Sequence, residues 1–342
     1  MRPQPVSPQI QAIDSVVTGA IERRVFPGAV VLVAAGTEVI HRAAYGAMAY
    51  DAEARRITRD TIYDVASLTK VFTATAALRL FEAGTLDLDT PASYYLPHLR
   101  PTGVRVRHLL THTSGLDLRL SALARGGAHA ILQAVYELEP KLAPGTTVAY
   151  TNINSLLLGE IISHLYGAPL DAAIQKLVLD ALDLSDTCYR PPSTLLERIA
   201  PTELDDGWRG GLVHGTVHDE SAHALGGVAG HAGLFSTAAD LHRFCLAWLT
   251  AEILRPETVA LATANHTPGL PLACGLGWMI DRPNFMGAAP QGTYGHTGFT
   301  GPAIVVVPSR RTIIVVLSNR VFPRRGSPEH HKVTAALVQA AL

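Results

Sequence analysis

The sequence predicts an α+β protein of two lobes, one formed around a β-sheet and one mainly helical. Apolar strand-like runs occur near the N-terminus, a second pair occurs near the C-terminus, and a long segment with helical periodicity separates them. A chain of 342 residues with 48% hydrophobic residues has material for one large domain or two packed lobes. We therefore expect the two chain ends to build the sheet lobe together.

The N-terminal part predicts a helix followed by a β-hairpin. Residues 10–24 place Ile10, Ile13, Val17 and Ile21 at helical spacing, which is typical of an amphipathic helix. The run "GAVVLVAAG" then predicts a buried strand, and "EVIHRAAYG" predicts its antiparallel partner across a turn at Gly36 and Thr37.

The C-terminal part mirrors this arrangement. "GPAIVVVP" and "RTIIVVLSN" predict two strands joined by "SRR", and a final helix is expected from about residue 328. Residues 1–65 and 286–342 are thus assigned to the sheet lobe. Residues 66–285 are assigned to the helical lobe because "LLLGEIISHLYG" and "ADLHRFCLAWLTAEIL" both have helical periodicity.

Composition narrows the classes of partner. Lys plus Arg number 28 against 29 for Asp plus Glu, so the charge balance favours a small-molecule substrate over nucleic acid or an anionic membrane. Three separated cysteines without a C-x-x-C pair predict neither a zinc ribbon nor a redox motif. "MRPQPVSPQI" lacks an apolar core, so the chain as it stands reads as cytoplasmic, or as periplasmic or secreted if a leader has been removed.

The segment "YDVASLTKVF" places a lysine in an otherwise apolar helix. The run from Ser67 to Leu80 is apolar nearly all round, with Gly84 as its expected C-terminal cap, which predicts a buried helix. A buried ammonium is costly without a partner, so Lys70 is either paired structurally or used as a base. Residues three apart share a helix face, so Lys70 can take the proton of the Ser67 hydroxyl.

Two further segments carry groups suited to the same chemistry. "VAYTNINSLLLGE" places Tyr150, a possible proton carrier, and Asn152, an amide donor, at the start of a helix. "YGHTGFTG" places His296, Thr297 and Gly298 ahead of the C-terminal strands, where a glycine permits close approach of a substrate backbone. The amide of Phe299 is then free to face an oxyanion.

These three motifs, in this order, resemble those of the serine β-lactamase and penicillin-binding-protein superfamily. S-x-x-K, Y-x-N and H-T-G are most similar to the class C β-lactamase-like branch, with its D-Ala-D-Ala carboxypeptidases, D-aminopeptidases and family VIII esterases. The similarity extends to "HLLTHTSGL" and "GLFSTAADLHRF". It implies a β-lactamase/transpeptidase-like fold: a five-stranded antiparallel sheet with terminal helices, plus an all-helical lobe.

The resemblance also implies a role for each motif residue. Ser67 is the expected nucleophile, Lys70 its base or proton relay, and Tyr150 the second proton carrier. Asn152 orients the substrate amide, and the backbone N–H groups of Ser67 and Phe299 form the oxyanion hole, which typically contributes ~10²–10³ in rate per donor. Whether lysine or tyrosine is the base is disputed in these enzymes. No metal or organic cofactor is expected.

His296 departs from the class C β-lactamases, which generally have lysine at this position. A histidine with its ordinary pKa of ~6.5 is only partly charged at neutral pH, so binding of anionic substrates is expected to weaken as pH rises. The expected substrates are therefore small esters, amides or D-amino-acid peptides, with weak β-lactam hydrolysis. A true class C-type β-lactamase and a penicillin-binding module that acylates without turnover remain alternatives.

A metal-dependent hydrolase is the rival from another class. The segment "GGLVHGTVHDESAHALGGVAGHAGLF" is rich in possible ligands, namely His214, His218, Asp219, Glu220, His223 and His231. Its glycines disfavour a zinc-binding helix and H-E-x-x-H is not matched, so a polar surface or cleft loop is favoured. His231 is expected to border the substrate entrance.

Overall fold

A six-stranded antiparallel sheet with the order β2-β1-β11-β10-β9-β8 is the centre of the fold. The computed structural model describes residues 7–100, 103–326 and 329–342. The strands of this sheet are β1 (Gly28–Ala35), β2 (Glu38–Gly46), β8 (Met279–Ile280), β9 (Tyr294–Thr297), β10 (Ala303–Val307) and β11 (Thr312–Ser318). Two smaller sheets comprise β3 (Tyr63–Asp64), β7 (Leu234–Ser236) and β4 (Cys188–Tyr189), and β5 (Glu203–Asp205) with β6 (Gly211–Val213).

The two chain ends meet in the middle of the large sheet, as the sequence predicts. β1 pairs antiparallel with β11, with Val31 opposite Val316, and both predicted hairpins are present. The sheet has one strand more than the five expected, since Met279 pairs with Gly295 at the edge. A strand of two residues is too short to produce an alternating pattern in the sequence.

Alternate residues of β1 enter two different hydrophobic cores. Val31 and Val33 pack with Ile13, Val17 and Leu337, which come from the two terminal helices. The even-numbered side chains of the strand point to the other face and join the core of the helical region. This two-sided burial accounts for the unbroken apolar run in the sequence.

The helices surround this sheet and fill the middle of the chain. They are α1 (Pro8–Glu22), α2 (Thr69–Glu82), α3 (Ala92–Tyr95), α4 (Val106–Leu110), α5 (Gly127–Tyr136), α6 (Asn152–Tyr166), α7 (Leu170–Ile174), α8 (Glu220–Ala224), α9 (Ala238–Leu249), α10 (Pro256–Thr263), α11 (Pro283–Met286) and α12 (His330–Ala341). The final helix was expected from about residue 328, a position outside the described residues. The described helix begins at His330.

Helix α2 is the buried element that contains Lys70 of the S-x-x-K motif. It packs against α6 and α9, and the Phe72 and Phe244 rings stack with centroids 4.1 Å apart. Trp248 Nε1 donates to Thr75 Oγ1 at 3.2 Å, and Gly84, with φ of 75°, ends the helix in the left-handed conformation. Burial on all sides explains why the helix lacks a polar face.

The division of the chain into lobes stays a proposal. We propose that residues 1–65 and 286–342 form the sheet lobe and residues 66–285 the mainly helical lobe, with β8 extending the sheet from the second segment. Among the described residues, no helix has the length and hydropathy needed to span a bilayer.

Candidate active site

Ser67 lies in a constrained turn immediately before α2. Residues Ala66–Leu68 form a 3₁₀ turn, and Ala66 adopts a φ of 47°, a conformation that is unfavourable for a residue with a side chain. The buried Asp64 stabilises this turn: one oxygen accepts from the Ala66 amide at 2.8 Å and the other from the His218 amide at 2.6 Å. Asp64 therefore fixes the backbone that presents Ser67.

Lys70 Nζ lies 2.9 Å from Ser67 Oγ, as the spacing predicts. The lysine is 2% exposed, and its two other hydrogen bonds go to Asn152 Oδ1 at 3.0 Å and the His231 carbonyl oxygen at 3.1 Å. Both of these groups are acceptors only, so they hold two N–H bonds of the amine whatever its protonation state. The remaining position on Nζ faces the serine.

Tyr150 lies in the segment before α6, beside the lysine. Its ring centroid is 5.0 Å from Lys70 Nζ, and the side chain is 42% exposed. Thr151 is extended and precedes the helix, which places Tyr150 on the cavity side and Asn152 in the first turn. In the part of the chain that the structure describes, the Tyr150 hydroxyl has no hydrogen-bond partner.

A neutral histidine packs against the Tyr150 ring. The centroids of His112 and Tyr150 are 4.7 Å apart, and His112 Nδ1 accepts from Asn154 Nδ2 at 3.1 Å, which leaves the ring proton on Nε2. Burial, then the charge of Lys70, lowers the pKa of His112 well below its ordinary value. Its neutral ring adds no charge beside the tyrosine.

His296 differs from its expected state. The sequence predicts a partly charged side chain that contacts substrate. Its side chain is 1% exposed and lies behind Tyr150, with ring centroids 5.8 Å apart, rather than on the cavity wall. Burial, then the charge of Lys70, lowers the pKa of His296 to about 3. The ring is neutral at neutral pH, and its Nδ1 donates to the Thr297 carbonyl oxygen at 2.9 Å. A ring with this pKa does not change charge between pH 5.5 and 8, so the structure gives no support to a weakening of anion binding through its titration, which stays a prediction.

The end of β9 approaches the turn that contains Ser67 closely. A Cβ on Gly298 would lie 2.6 Å from the Val65 carbonyl oxygen, so the glycine is needed for contact with the protein's own backbone. Phe299 follows with 47% exposure, and its ring contacts the Arg320 guanidinium at 4.5 Å. This arrangement sets Gly298 against Val65 and Ala66, the residues just before Ser67.

One cavity of about 1120 Å³ joins most of the predicted residues. The predicted residues on its wall are Ser67, Tyr150, Asn152, Thr297, Gly298 and Phe299. Lys70 and His296 lie behind this wall. Arg282 and Arg320 also line the cavity, although both are more than nine-tenths buried.

Two histidines of the histidine-rich segment are hydrogen-bonded to protein acceptors. Glu203 accepts from His218 at 2.8 Å, and the Ile199 carbonyl oxygen accepts from His214 at 2.8 Å. His231 is fully buried and does not border the entrance, contrary to expectation. The described residues contain no group of three or more His, Cys, Asp or Glu side chains arranged to hold a metal ion.

Three residues of the site were missed or misread from the sequence. Asp64 is part of the quoted serine segment, but its role depends on contacts with residue 218, far along the chain. Asp219 was considered only as a metal ligand, yet it accepts from Asn152 Nδ2 at 3.2 Å. Arg282 reaches the cavity through packing around β8 and α11, for which the sequence has no local signal.

The chain is similar to known proteins over nearly its whole length. The family model described as Beta-lactamase matches residues 13–339. A protein of Escherichia coli O157:H7 named "Putative D-alanyl-D-alanine carboxypeptidase" is 30% identical over 352 residues, covering 89% of this chain and 81% of that protein. Its counterpart in E. coli K12, with the same name, is 29% identical with the same coverage.

Solved structures show the same fold. EstCE1, a hydrolase with promiscuous acyltransferase activity, superposes with a TM-score of 0.80 at 22% identity, over 97% of this chain and 98% of the other. The octameric penicillin-binding protein homologue from Pyrococcus abyssi gives 0.78 at 24% identity, over 96% and 77%. The β-lactamase/transpeptidase-like fold is thereby confirmed. The chain belongs to the beta-lactamase family and is a serine hydrolase of the β-lactamase and penicillin-binding-protein superfamily.

Proposed function

We propose that the protein cleaves small esters, amides or D-amino-acid peptides through an acyl-enzyme on Ser67. The observation that supports this proposal is the geometry at Lys70 Nζ. Asn152 Oδ1 and the His231 carbonyl oxygen take two of its three bonding positions, and the third faces Ser67 Oγ, 2.9 Å away. In the neutral amine, that position is the lone pair. The side chain is then arranged to accept the serine proton.

Each step conserves protons. Ser67 Oγ bonds to the substrate carbonyl carbon as its proton moves to Lys70, and the backbone amides of Ser67 and Phe299 stabilise the oxyanion. The Tyr150 hydroxyl donates to the leaving group as the ester or amide bond breaks, and Lys70 reprotonates the tyrosine. Water then attacks the acyl carbon and gives a proton to Lys70. Lys70 passes this proton to Ser67 Oγ as the acyl–Oγ bond breaks, so the acid is released and the serine hydroxyl is restored.

Asn152 and Arg282 are the residues of the cavity that we expect to influence which substrate binds. One proton of the Asn152 amide goes to Asp219, so the second is available for a substrate carbonyl. Arg282 is 8% exposed and donates to Cys274 Sγ, while its Nε has no partner among the described residues. A buried guanidinium without a carboxylate favours an anionic ligand group. A peptide with a free C-terminal carboxylate is therefore the favoured amide substrate.

A matched substrate series tests this proposal. The wild type and Ser67→Ala are assayed with a neutral p-nitrophenyl ester, an N-acyl-D-Ala-D-Ala peptide and its L,L isomer, with and without a strong chelator. We expect chelator-resistant turnover of the ester and the D,D peptide, abolished in Ser67→Ala. Turnover that survives Ser67→Ala, or that is lost on chelation, would contradict the proposal.

The same two proteins, assayed in addition with a cephalosporin, distinguish the remaining alternatives. Rapid hydrolysis of a cephalosporin with little turnover of ester or peptide would indicate a true β-lactamase. A single stoichiometric burst without further product would indicate a module that acylates without turnover.

A further inference from the structure

Asp219 is bonded to both groups that hold the catalytic lysine. Its Oδ2 accepts from Asn152 Nδ2 at 3.2 Å, and Asn152 Oδ1 accepts from Lys70 at 3.0 Å. Its Oδ1 accepts from His231 Nε2 at 3.2 Å, and the His231 carbonyl oxygen accepts from the same Lys70 at 3.1 Å. One carboxylate therefore connects to Nζ by two separate routes.

The first route fixes the orientation of the Asn152 amide. A flipped amide would place its NH₂ group against Lys70 and its oxygen against the Asp219 carboxylate, which opposes donor to donor and acceptor to acceptor. The observed orientation satisfies both contacts. An ionised Asp219 thus keeps the Asn152 oxygen on the lysine.

The carboxylate is in turn well supported. Its Oδ1 also accepts from Ser221 Oγ at 2.5 Å and from the Ala222 amide at 2.8 Å, where it caps helix α8. Burial alone would raise its pKa, but the interaction with His231 and these hydrogen bonds lower it well below the ordinary value. The anion persists throughout the neutral pH range.

We propose that Asp219 is a positioning residue for acylation, which fixes the Asn152 oxygen and the His231 carbonyl so that the third position of Lys70 Nζ faces Ser67 Oγ. This inference rests on the proposed function of Ser67 and Lys70. Asp219 contacts neither the serine nor the lysine directly, so its effect passes through its two partners.

The alternative is that Asp219 serves only as a helix cap. Asn is as good an N-cap as Asp, so Asp219→Asn retains the cap while removing the charge. Asp240→Asn is the matched control, because Asp240 is another largely buried carboxylate whose partners, the Thr187 hydroxyl and the Asp186 amide, lie away from the cavity. The melting temperatures of both variants show how much each substitution destabilises the folded protein.

A double-mutant cycle separates positioning from general destabilisation. The acylation rate constant and the dissociation constant for a p-nitrophenyl ester are measured by stopped flow in wild type, Asp219→Asn, Asn152→Ala and the double variant. We expect Asp219→Asn to slow acylation about 10- to 100-fold with little change in binding, since small misplacements cost this much. In the Asn152→Ala background, the factor by which Asp219→Asn slows acylation should be at least threefold smaller than in the wild-type background.

Each result has a distinct meaning. Wild-type acylation in Asp219→Asn, or effects of the two substitutions that simply multiply, would overturn the inference. An equal loss in Asp240→Asn would also overturn it, because the effect would then follow stability. A wild type that is never acylated would instead contradict the proposed function itself.

Discussion

The Nζ atom of Lys70 lies 2.9 Å from Ser67 Oγ inside a helix that is buried on all sides. A buried amine is accommodated there because Asn152, the His231 carbonyl and Ser67 satisfy its three bonding positions. The same contacts that satisfy the buried amine also direct it at the nucleophile.

Removal of the Lys70 amine is expected to abolish acylation without unfolding the protein. In Lys70→Met, we expect kcat/KM for an ester to fall on the order of 10³-fold, as for loss of a general base. The measurement is steady-state kinetics together with the melting temperature. Lys176→Met, at an exposed lysine paired with Asp180, is the control and should retain activity. A Lys70→Met enzyme within tenfold of wild type would contradict the base role.

A methyl group at Gly298 is expected to displace the nucleophile turn. The added Cβ would lie 2.6 Å from the Val65 carbonyl oxygen, so Gly298→Ala should lower the acylation rate about 10- to 100-fold. Gly211→Ala is the matched control, because a Cβ there meets no atom within 4 Å. Equal activity of the two variants would show that the β9 end and the serine turn do not need this close approach.

His296 is expected to affect stability against acid, with no charge contribution to substrate binding near neutral pH. Its folded pKa of about 3 lies below the unfolded value, so the unfolded chain binds the proton first as pH falls. Its stabilising contribution is present above pH 6.5 and is lost progressively towards pH 3. Between pH 8 and pH 4.5 this amounts to about 3 kcal/mol.

Urea unfolding at several pH values measures this contribution. The free energy of unfolding should fall less steeply with acid in His296→Gln than in wild type, with exposed His98→Gln as the control. Identical slopes in all three proteins would mean that folding does not lower the pKa of His296.

Arg282 is expected to discriminate between charged and neutral substrates. Since Arg282 lines the cavity and has no carboxylate partner among the described residues, Arg282→Gln should lower kcat/KM for a peptide carboxylate at least tenfold while changing a neutral ester less than threefold. Parallel kinetics on the acid and its methyl ester give this ratio. Arg23→Gln, at an exposed arginine, should leave the ratio unchanged, and an equal loss on both substrates in Arg282→Gln would point to a structural role.

Local sequence patterns predicted the strands and helices that have long, regular hydrophobic patterns. The apolar runs at both chain ends gave the central strands, and the three-residue spacing of Ser67 and Lys70 gave their contact. The close approach that the structure shows at Gly298 is to the Val65 carbonyl oxygen, and the predicted approach of a substrate backbone stays a prediction.

Contacts between distant segments could not be predicted in this way. His296 has an ordinary pKa in isolation, and only burial beside Lys70 lowers it. Asp219 appeared as one acidic residue among histidines, since nothing near it in the sequence indicates that Asn152 is its partner. Such roles depend on tertiary packing that brings residues together from far apart in the chain.

Intact mass spectrometry after incubation with a penicillin tests the central claim most directly. Wild type should gain the mass of the drug or release hydrolysed drug, whereas Ser67→Ala should do neither. The control is Ser114→Ala, which removes the serine next to His112–Thr113 and should behave as wild type. Peptide mapping should place any adduct on Ser67. An adduct or drug hydrolysis that persists in Ser67→Ala would contradict the assignment of Ser67 as the nucleophile.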